Sequence, residues 1–206
     1  MYKVVRGAVS KELAEFCYNY FCLKRKVVNL FRETSFITPL EDIEKFLGGI
    51  DKAEIGTGLN TYSHYSDIAM ETLLEKLHPL MEKETKLKLY PAYSYARIYK
   101  NGDTLNRHKD RASCKVSTTM NLGGDPWAIF LEPSGGENKQ GIKVLLEPGD
   151  MLLYDGCEME HWREKFEGED CGQVFLHYVE TLNGKYDGRP FLGLPAMFQN
   201  LQRVSK

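Results

Sequence analysis

Residues 99–110 read Tyr-Lys-Asn-Gly-Asp-Thr-Leu-Asn-Arg-His-Lys-Asp, and residues 146–154 read Leu-Glu-Pro-Gly-Asp-Met-Leu-Leu-Tyr, with His161 following. In the first stretch Asn101-Gly102 is a turn signal, and His108 and Asp110 then alternate to the same side of an extended segment. In the second, Pro148-Gly149 turns the chain into a short apolar strand that leads towards His161. Two imidazoles and one carboxylate that leave the opposite face open are the usual holder of non-haem Fe(II). His108, Asp110 and His161 are therefore the candidate metal ligands. Taken alone, His108 and Asp110 have a second reading, a hydrogen-bonded pair at a surface turn. The flanking turns and strands favour the metal.

Outward from these stretches the pattern stays β. Tyr93–Tyr99, Ser113–Leu122, Trp127–Leu131, Ile142–Leu146, Asp150–Tyr154, Glu158–Trp162 and Gln173–Thr181 read as strands separated by Gly/Pro turns. Upstream the period changes. Behind an N-cap at Ser10, Leu13, Phe16, Cys17, Tyr20 and Phe21 recur at three and four, giving a helix that packs on the outside of a sheet. Met1–Ala8 suits a short edge strand. Thr38–Leu47 reads as a short helix closed by Gly48-Gly49, and Gly56–Gly58 and Thr61–Tyr65 as irregular chain. The whole 32–66 connection is long enough to be a lid or binding loop. Asp67–Lys86 returns to helix with an expected kink at His78-Pro79. His64 and His78 read as surface histidines.

Strands after two helices predict an α+β, mostly β fold: a double-stranded β-helix, the jelly-roll or cupin-like barrel, buttressed by N-terminal helices. The expected organisation is a single domain, 1–206. It has a helical part at about 1–88, a jelly-roll core at about 89–182 and a tail at 183–206. Phe191, Leu192, Met197 and Phe198 suit the tail to docking on the barrel or to a dimer contact.

Tyr99, Gly102, His108, Asp110, Pro148, Gly149, Asp150, Leu152, Tyr154 and His161 fall in order on the pattern R-Y-x-x-G-x-x-Y-x-x-H-x-D … P-G-D-x-L-x-F/Y … H. In this the C-terminal half resembles the Fe(II)- and 2-oxoglutarate-dependent oxygenases, within them the prolyl 4-hydroxylase-like branch. Leu105 stands where that branch often has a second tyrosine. The resemblance implies Fe(II) on His108, Asp110 and His161, with 2-oxoglutarate and O2 as co-substrates. It further implies hydroxylation of a substrate C–H bond, with decarboxylation of 2-oxoglutarate to succinate and CO2. Peptidyl proline is the leading substrate by this analogy, and a free amino acid, small metabolite or nucleobase is the alternative. A reading from another class is a cupin-like metal-binding protein without turnover.

The distal carboxylate of 2-oxoglutarate calls for an Arg or Lys. The branch carries it nine to twelve positions after the last histidine, where this chain has Asp170, Cys171, Gly172 and Gln173. Strand parity offers two replacements. Arg163 lies two residues after His161, and Arg97 two before Tyr99. Lys115 is a third choice. Tyr99 and Gln173 are expected as neutral hydrogen-bonding partners of the acid, with Asn121 and Thr119 at the pocket floor. His177 reads as a core histidine satisfied by a hydrogen bond or as a support to the ligands. Trp127 and Trp162 read as core or rim aromatics, and Arg107 and Arg111 as residues of the barrel mouth.

The 206 residues carry 27 basic and 29 acidic side chains, a net charge of −2, so nothing calls for a polyanionic partner. Nucleic acid is accordingly not expected as a partner; a peptide, protein or small-molecule substrate is. Five cysteines without C-x-x-C spacing read as reduced thiols of a cytoplasmic protein. No apolar leader and no run of 18 apolar residues is present, so no membrane association is expected. Either a monomer or a homodimer fits.

Overall fold

The strands alternate between two burial environments, and that alternation sets the architecture. The computed structural model describes residues 1–34, 46–51, 61–134, 136 and 139–180. Among them are strands β1 (Tyr2–Val5), β2 (Gly49–Asp51), β3 (Thr61–Tyr65), β4 (Tyr90–Lys100), β5 (Leu105–His108), β6 (Val116–Gly124), β7 (Ile129–Glu132), β8 (Ile142–Val144), β9 (Met151–Asp155), β10 (Glu160–Arg163) and β11 (Asp170–Val179). Helices α1 (Lys11–Thr34) and α2 (Ile68–Thr85) and a 3-10 turn at Ala112–Cys114 complete the set.

A seven-stranded antiparallel sheet runs β1-β9-β6-β11-β4-β3-β2, and a four-stranded one runs β5-β10-β7-β8. The larger sheet is two-faced. Ile98, Met120, Met151, Leu153, Val174, Leu176 and Tyr178 point to the helices and join Phe21 of α1 and Met70, Leu74, Leu77 and Met81 of α2 in the main core. Their neighbours in sequence point the other way, into the space between the sheets. The expected double-stranded β-helix with helices on one sheet is present. Gly149, at φ +91°, makes the turn into β9; a Cβ there would lie 2.5 Å from the Val9 carbonyl oxygen.

The structure corrects several sequence expectations. Thr61–Tyr65 is a strand, not irregular chain: it pairs with β4 and is buried on both faces, so its polar residues lack the alternation that marks a half-exposed strand. Phe16 is 66% exposed and leaves the α1 stripe that Cys17 and Phe21 keep. Ser113 lies in the 3-10 turn, and β6 begins only at Val116. α2 contains Pro79 within its span, where a proline kinks a helix without ending it. Its N-cap is Asp67, whose side chain accepts from the Ala69 and Met70 amides. His64 is no surface residue: it is buried beside Lys24 and Asp67. His78 is half-buried, bonded to the Leu89 carbonyl and stacked on Tyr178. The helix expected at 38–47 falls largely outside the described residues, as does the tail from 183 onward.

Candidate metal centre and anion pocket

β5 and β10 are neighbours in the smaller sheet, and their register sets His108 directly opposite His161. The rings lie 4.3 Å apart, centroid to centroid. Asp110 follows β5, held by its amide donating to the Gly156 carbonyl at 2.7 Å. Asp110 Oδ1 is 3.6 Å from His108 Nε2 and 3.6 Å from His161 Nε2. Each imidazole is oriented through its other nitrogen: Nδ1 of His108 donates to the Asn106 carbonyl at 2.7 Å, and Nδ1 of His161 to that of Met159 at 3.0 Å. A carbonyl only accepts, so both Nδ1 atoms carry the proton and both Nε2 lone pairs turn towards Oδ1. The three residues that the spacing singled out thus converge on one point, with the donor set that suits a divalent first-row metal.

The electrostatics agree with that use. Burial brings the pKa of His161 down to about 4, so it is a neutral donor at physiological pH. For Asp110, burial works against ionisation, but the hydrogen bond with His108 and the electrostatic influence of the surrounding histidine rings outweigh it and hold the carboxyl below its usual range. For His108, burial favours the neutral ring, but Asp110 and the Asn106 carbonyl outweigh that and raise its pKa.

Beyond His161 on the same strand sits Arg163, 2% exposed. Its Nη1 donates to the Trp127 carbonyl at 2.5 Å, and its Nη2 to Gln173 Oε1 at 3.1 Å and Thr119 Oγ1 at 3.3 Å. The guanidinium lies 4.9 Å from the centre of the Trp127 ring, and Nε has no hydrogen-bond partner. No carboxylate among the described residues pairs with it. A buried cation balanced only by neutral acceptors is a pocket shaped for an anion. Tyr99, packed edge-on against Trp127, has its pKa raised by burial and stays a neutral phenol.

The other expected contacts divide. Arg97 is buried opposite Gln173 and Ser63, its guanidinium over the Tyr95 and Tyr99 rings. Gln173 reaches the pocket through Arg163: its Oε1 accepts from Arg163 and Thr119, and its Nε2 donates to Cys171 Sγ. Asn121 lies opposite Gln173, and its side chain bonds the Leu146 carbonyl and the Gly123 amide, bracing the turn ahead of β9. Lys115 pairs with Asp155, and Arg107 pairs with Glu160 while stacking on Trp162. Sequence reading passed over Ser117, whose hydroxyl touches Asp110, and the rings of Tyr65, Tyr93, Tyr95 and Phe175. Parity was the available signal, since Tyr93 and Tyr95 alternate with Arg97 and Tyr99 on one face of β4.

No family model and no curated protein matches the sequence. Solved structures do match. A prolyl-4-hydroxylase of Pseudomonas putida superposes at a TM-score of 0.57 with 16% identity, covering 87% of this chain and 92% of that one. The chain carries the 2-oxoglutarate-Fe(II) oxygenase fold. The same fold extends to the α-ketoglutarate-dependent epimerase SnoN from nogalamycin biosynthesis, at a TM-score of 0.60, 12% identity and 87% and 78% coverage. It extends also to HygX from Streptomyces hygroscopicus, solved with nickel and 2-oxoglutarate, at 0.55, 13%, and 88% and 83%. In this oxygenase fold the two sheets place the His108–Asp110–His161 cluster and Arg163 together between them. No described helix is long and apolar enough to cross a membrane.

Proposed function

We propose that this protein is an Fe(II)- and 2-oxoglutarate-dependent dioxygenase that hydroxylates a substrate C–H bond, with peptidyl proline as the leading substrate. The observation that carries the reading is Arg163, a buried guanidinium with no acidic partner among the described residues, two residues from one member of the His-Asp-His cluster. His108, Asp110 and His161 would hold the iron. When bound, iron with 2-oxoglutarate and O2 supplies the oxidising power for C–H hydroxylation and releases succinate and CO2. The chain's own residues bind and orient. Arg163 pairs the distal carboxylate by charge-assisted hydrogen bonds, while Gln173 and Thr119 fix the guanidinium plane. Tyr99, Trp127 and Phe166 keep the pocket dry.

The substrate side rests on an aromatic row. Tyr65 stacks on Tyr95 at 4.1 Å, Tyr95 on Phe175 at 5.9 Å, and Tyr93 lies 6.0 Å from Tyr65. Tyr93 adjoins Cys114 at 3.0 Å, and Cys114 lies beside Asp110, so the row begins next to the metal ligands. Tyr65 and Phe175 remain half-exposed. Aromatic faces of this kind receive proline rings of extended, polyproline-like peptides.

Anaerobic Fe(II) plus 2-oxoglutarate should give a weak visible charge-transfer band, and O2 with a proline-rich peptide should give succinate and hydroxyproline. Succinate with a free amino acid or metabolite but not with peptides would replace the substrate assignment. Metal binding without any succinate would leave a cupin-like binder and overturn the enzyme.

A further inference from the structure

Two donor clusters share Asp110. Besides His108 and His161 on one side, Cys114 and His177 stand on the other, with one donor atom of each within 4.8 Å of the rest. The second cluster is filled at its centre by a hydroxyl. Ser117 Oγ lies 3.1 Å from Asp110 Oδ2, 2.9 Å from His177 Nδ1 and 2.7 Å from the Cys114 carbonyl oxygen. Cys114 Sγ is engaged by the Tyr93 hydroxyl, and burial raises the thiol to about 11. This is a hydrogen-bonded collar rather than a second metal site.

The collar has a direction. The hydroxyl has one proton, and both the carboxylate and the carbonyl can only accept. His177 Nδ1 therefore serves Ser117 best as a donor, freeing the Ser117 proton for the acceptors on its other side. His177 is buried and its ring lies 4.6 Å from that of Tyr93, so its plane is fixed by packing. Register places it opposite both Ser117 on β6 and Tyr93 on β4. The back of the carboxylate is closed as well: a Cβ on Gly156 would lie 2.4 Å from Asp110 Oδ2, 2.4 Å from the Cys114 carbonyl oxygen and 2.9 Å from Ser117 Oγ.

We infer that Ser117 and His177 are positioning residues that hold Asp110 Oδ2 away from the metal point and so present Oδ1 alone to it. The inference rests on the metal reading above. Each of the three ligands then has its outer atom fixed: His108 by Asn106, His161 by Met159, and Asp110 by Ser117. Losing such a partner weakens metal binding by roughly ten- to a hundredfold.

The test is Mn(II) affinity, measured by electron paramagnetic resonance on the full chain, with thermal melting of the metal-free protein as a check on folding. Ser117→Ala and His177→Leu should each weaken Mn(II) binding by about tenfold or more. His177→Gln, which keeps an N–H within reach of Ser117 Oγ, should recover most of the loss. At saturating metal, the half-saturating 2-oxoglutarate concentration should stay near that of the wild type. Failure of the wild type to bind Mn(II) would remove the metal reading itself. Wild-type binding with unchanged affinity in Ser117→Ala and His177→Leu would overturn the positioning role alone. A loss in His177→Leu that His177→Gln does not recover, in variants that melt like the wild type, would also overturn it.

Discussion

Replacing Arg163 with methionine separates the stability of the barrel from its use. Without ligand, the buried guanidinium carries a desolvation penalty of several kcal/mol. It is offset by hydrogen bonds to the Trp127 carbonyl, Gln173 Oε1 and Thr119 Oγ1, each worth about 1.5–3 kcal/mol for a charged donor. These nearly cancel, and the methionine fills most of the apolar volume against Trp127. Arg163→Met should therefore change the unfolding free energy of the metal-loaded, ligand-free protein by less than about 2 kcal/mol. With 2-oxoglutarate the balance differs, because removing one partner of a buried charge pair costs about 3 kcal/mol, roughly a 150-fold weaker Kd. At a ligand concentration 100 times the wild-type Kd, the wild type gains about 2.7 kcal/mol, or about 5–10 °C in Tm. The variant, with its Kd above that concentration, gains about 0.3 kcal/mol. Thermal melting of the Mn(II)-loaded proteins with and without 2-oxoglutarate reads both quantities. If Arg163→Met kept the wild-type gain, the anion would sit elsewhere, with Arg97 the next residue to test.

Asp110→Ala should abolish the charge-transfer band while leaving the fold intact by circular dichroism. Asp67 caps α2 and pairs with Lys24 and His64, so Asp67→Ala should cost about 3–5 kcal/mol in denaturant unfolding. Burial would raise the Asp67 pKa, but His64 and Lys24 outweigh it and hold the carboxyl far below its unfolded value. A depressed carboxylate stabilises the fold fully above its unfolded pKa of about 3.9, and the contribution disappears as pH falls towards the folded value. Below about pH 4 the stability difference between the wild type and Asp67→Ala should therefore shrink, because the contribution of Asp67 is lost from the wild type and was never present in the variant. Gly149→Ala, at φ +91° against the Val9 carbonyl, should destabilise by about 1–3 kcal/mol in the same measurement. Tyr95→Ala should raise the KM for a proline peptide several-fold and leave 2-oxoglutarate binding unchanged; equal KM values would remove the aromatic row from the substrate site.

The convergence of His108, Asp110 and His161 was legible because they sit beside strong punctuation, Asn101-Gly102 before the first two and Pro148-Gly149 before the third. The inward placement of Arg163 was legible through parity alone, since alternation fixes the side of a strand wherever the strand is regular. Asn121 shares that parity, yet its amide is taken by the Leu146 carbonyl and the Gly123 amide, local bonds that alternation does not report. β3 was missed because a strand covered on both faces shows no alternation, and its Thr, Ser and His resemble loop composition. Phe16 misled for the opposite reason: it has helical spacing, but α1 turns it to the outer face. Ser117 carries no sequence signal of its own, because its importance comes from the distance between β6 and the chain after β5.

The edge strand β1 is paired with β9, Val4 opposite Leu152, and is pinned there by Arg6 and the Gly7 amide on the Asp150 carboxylate. Chain emerging from a ribosome N-terminus first would leave this strand unpaired until roughly 150 further residues had been made, because its docking site is among the last parts of the barrel to appear. Such distant pairing slows folding and leaves a bare sheet edge open to other chains in the meantime. Recombinant production at low temperature, or with holding chaperones, should accordingly raise the soluble yield more than any change near the metal ligands.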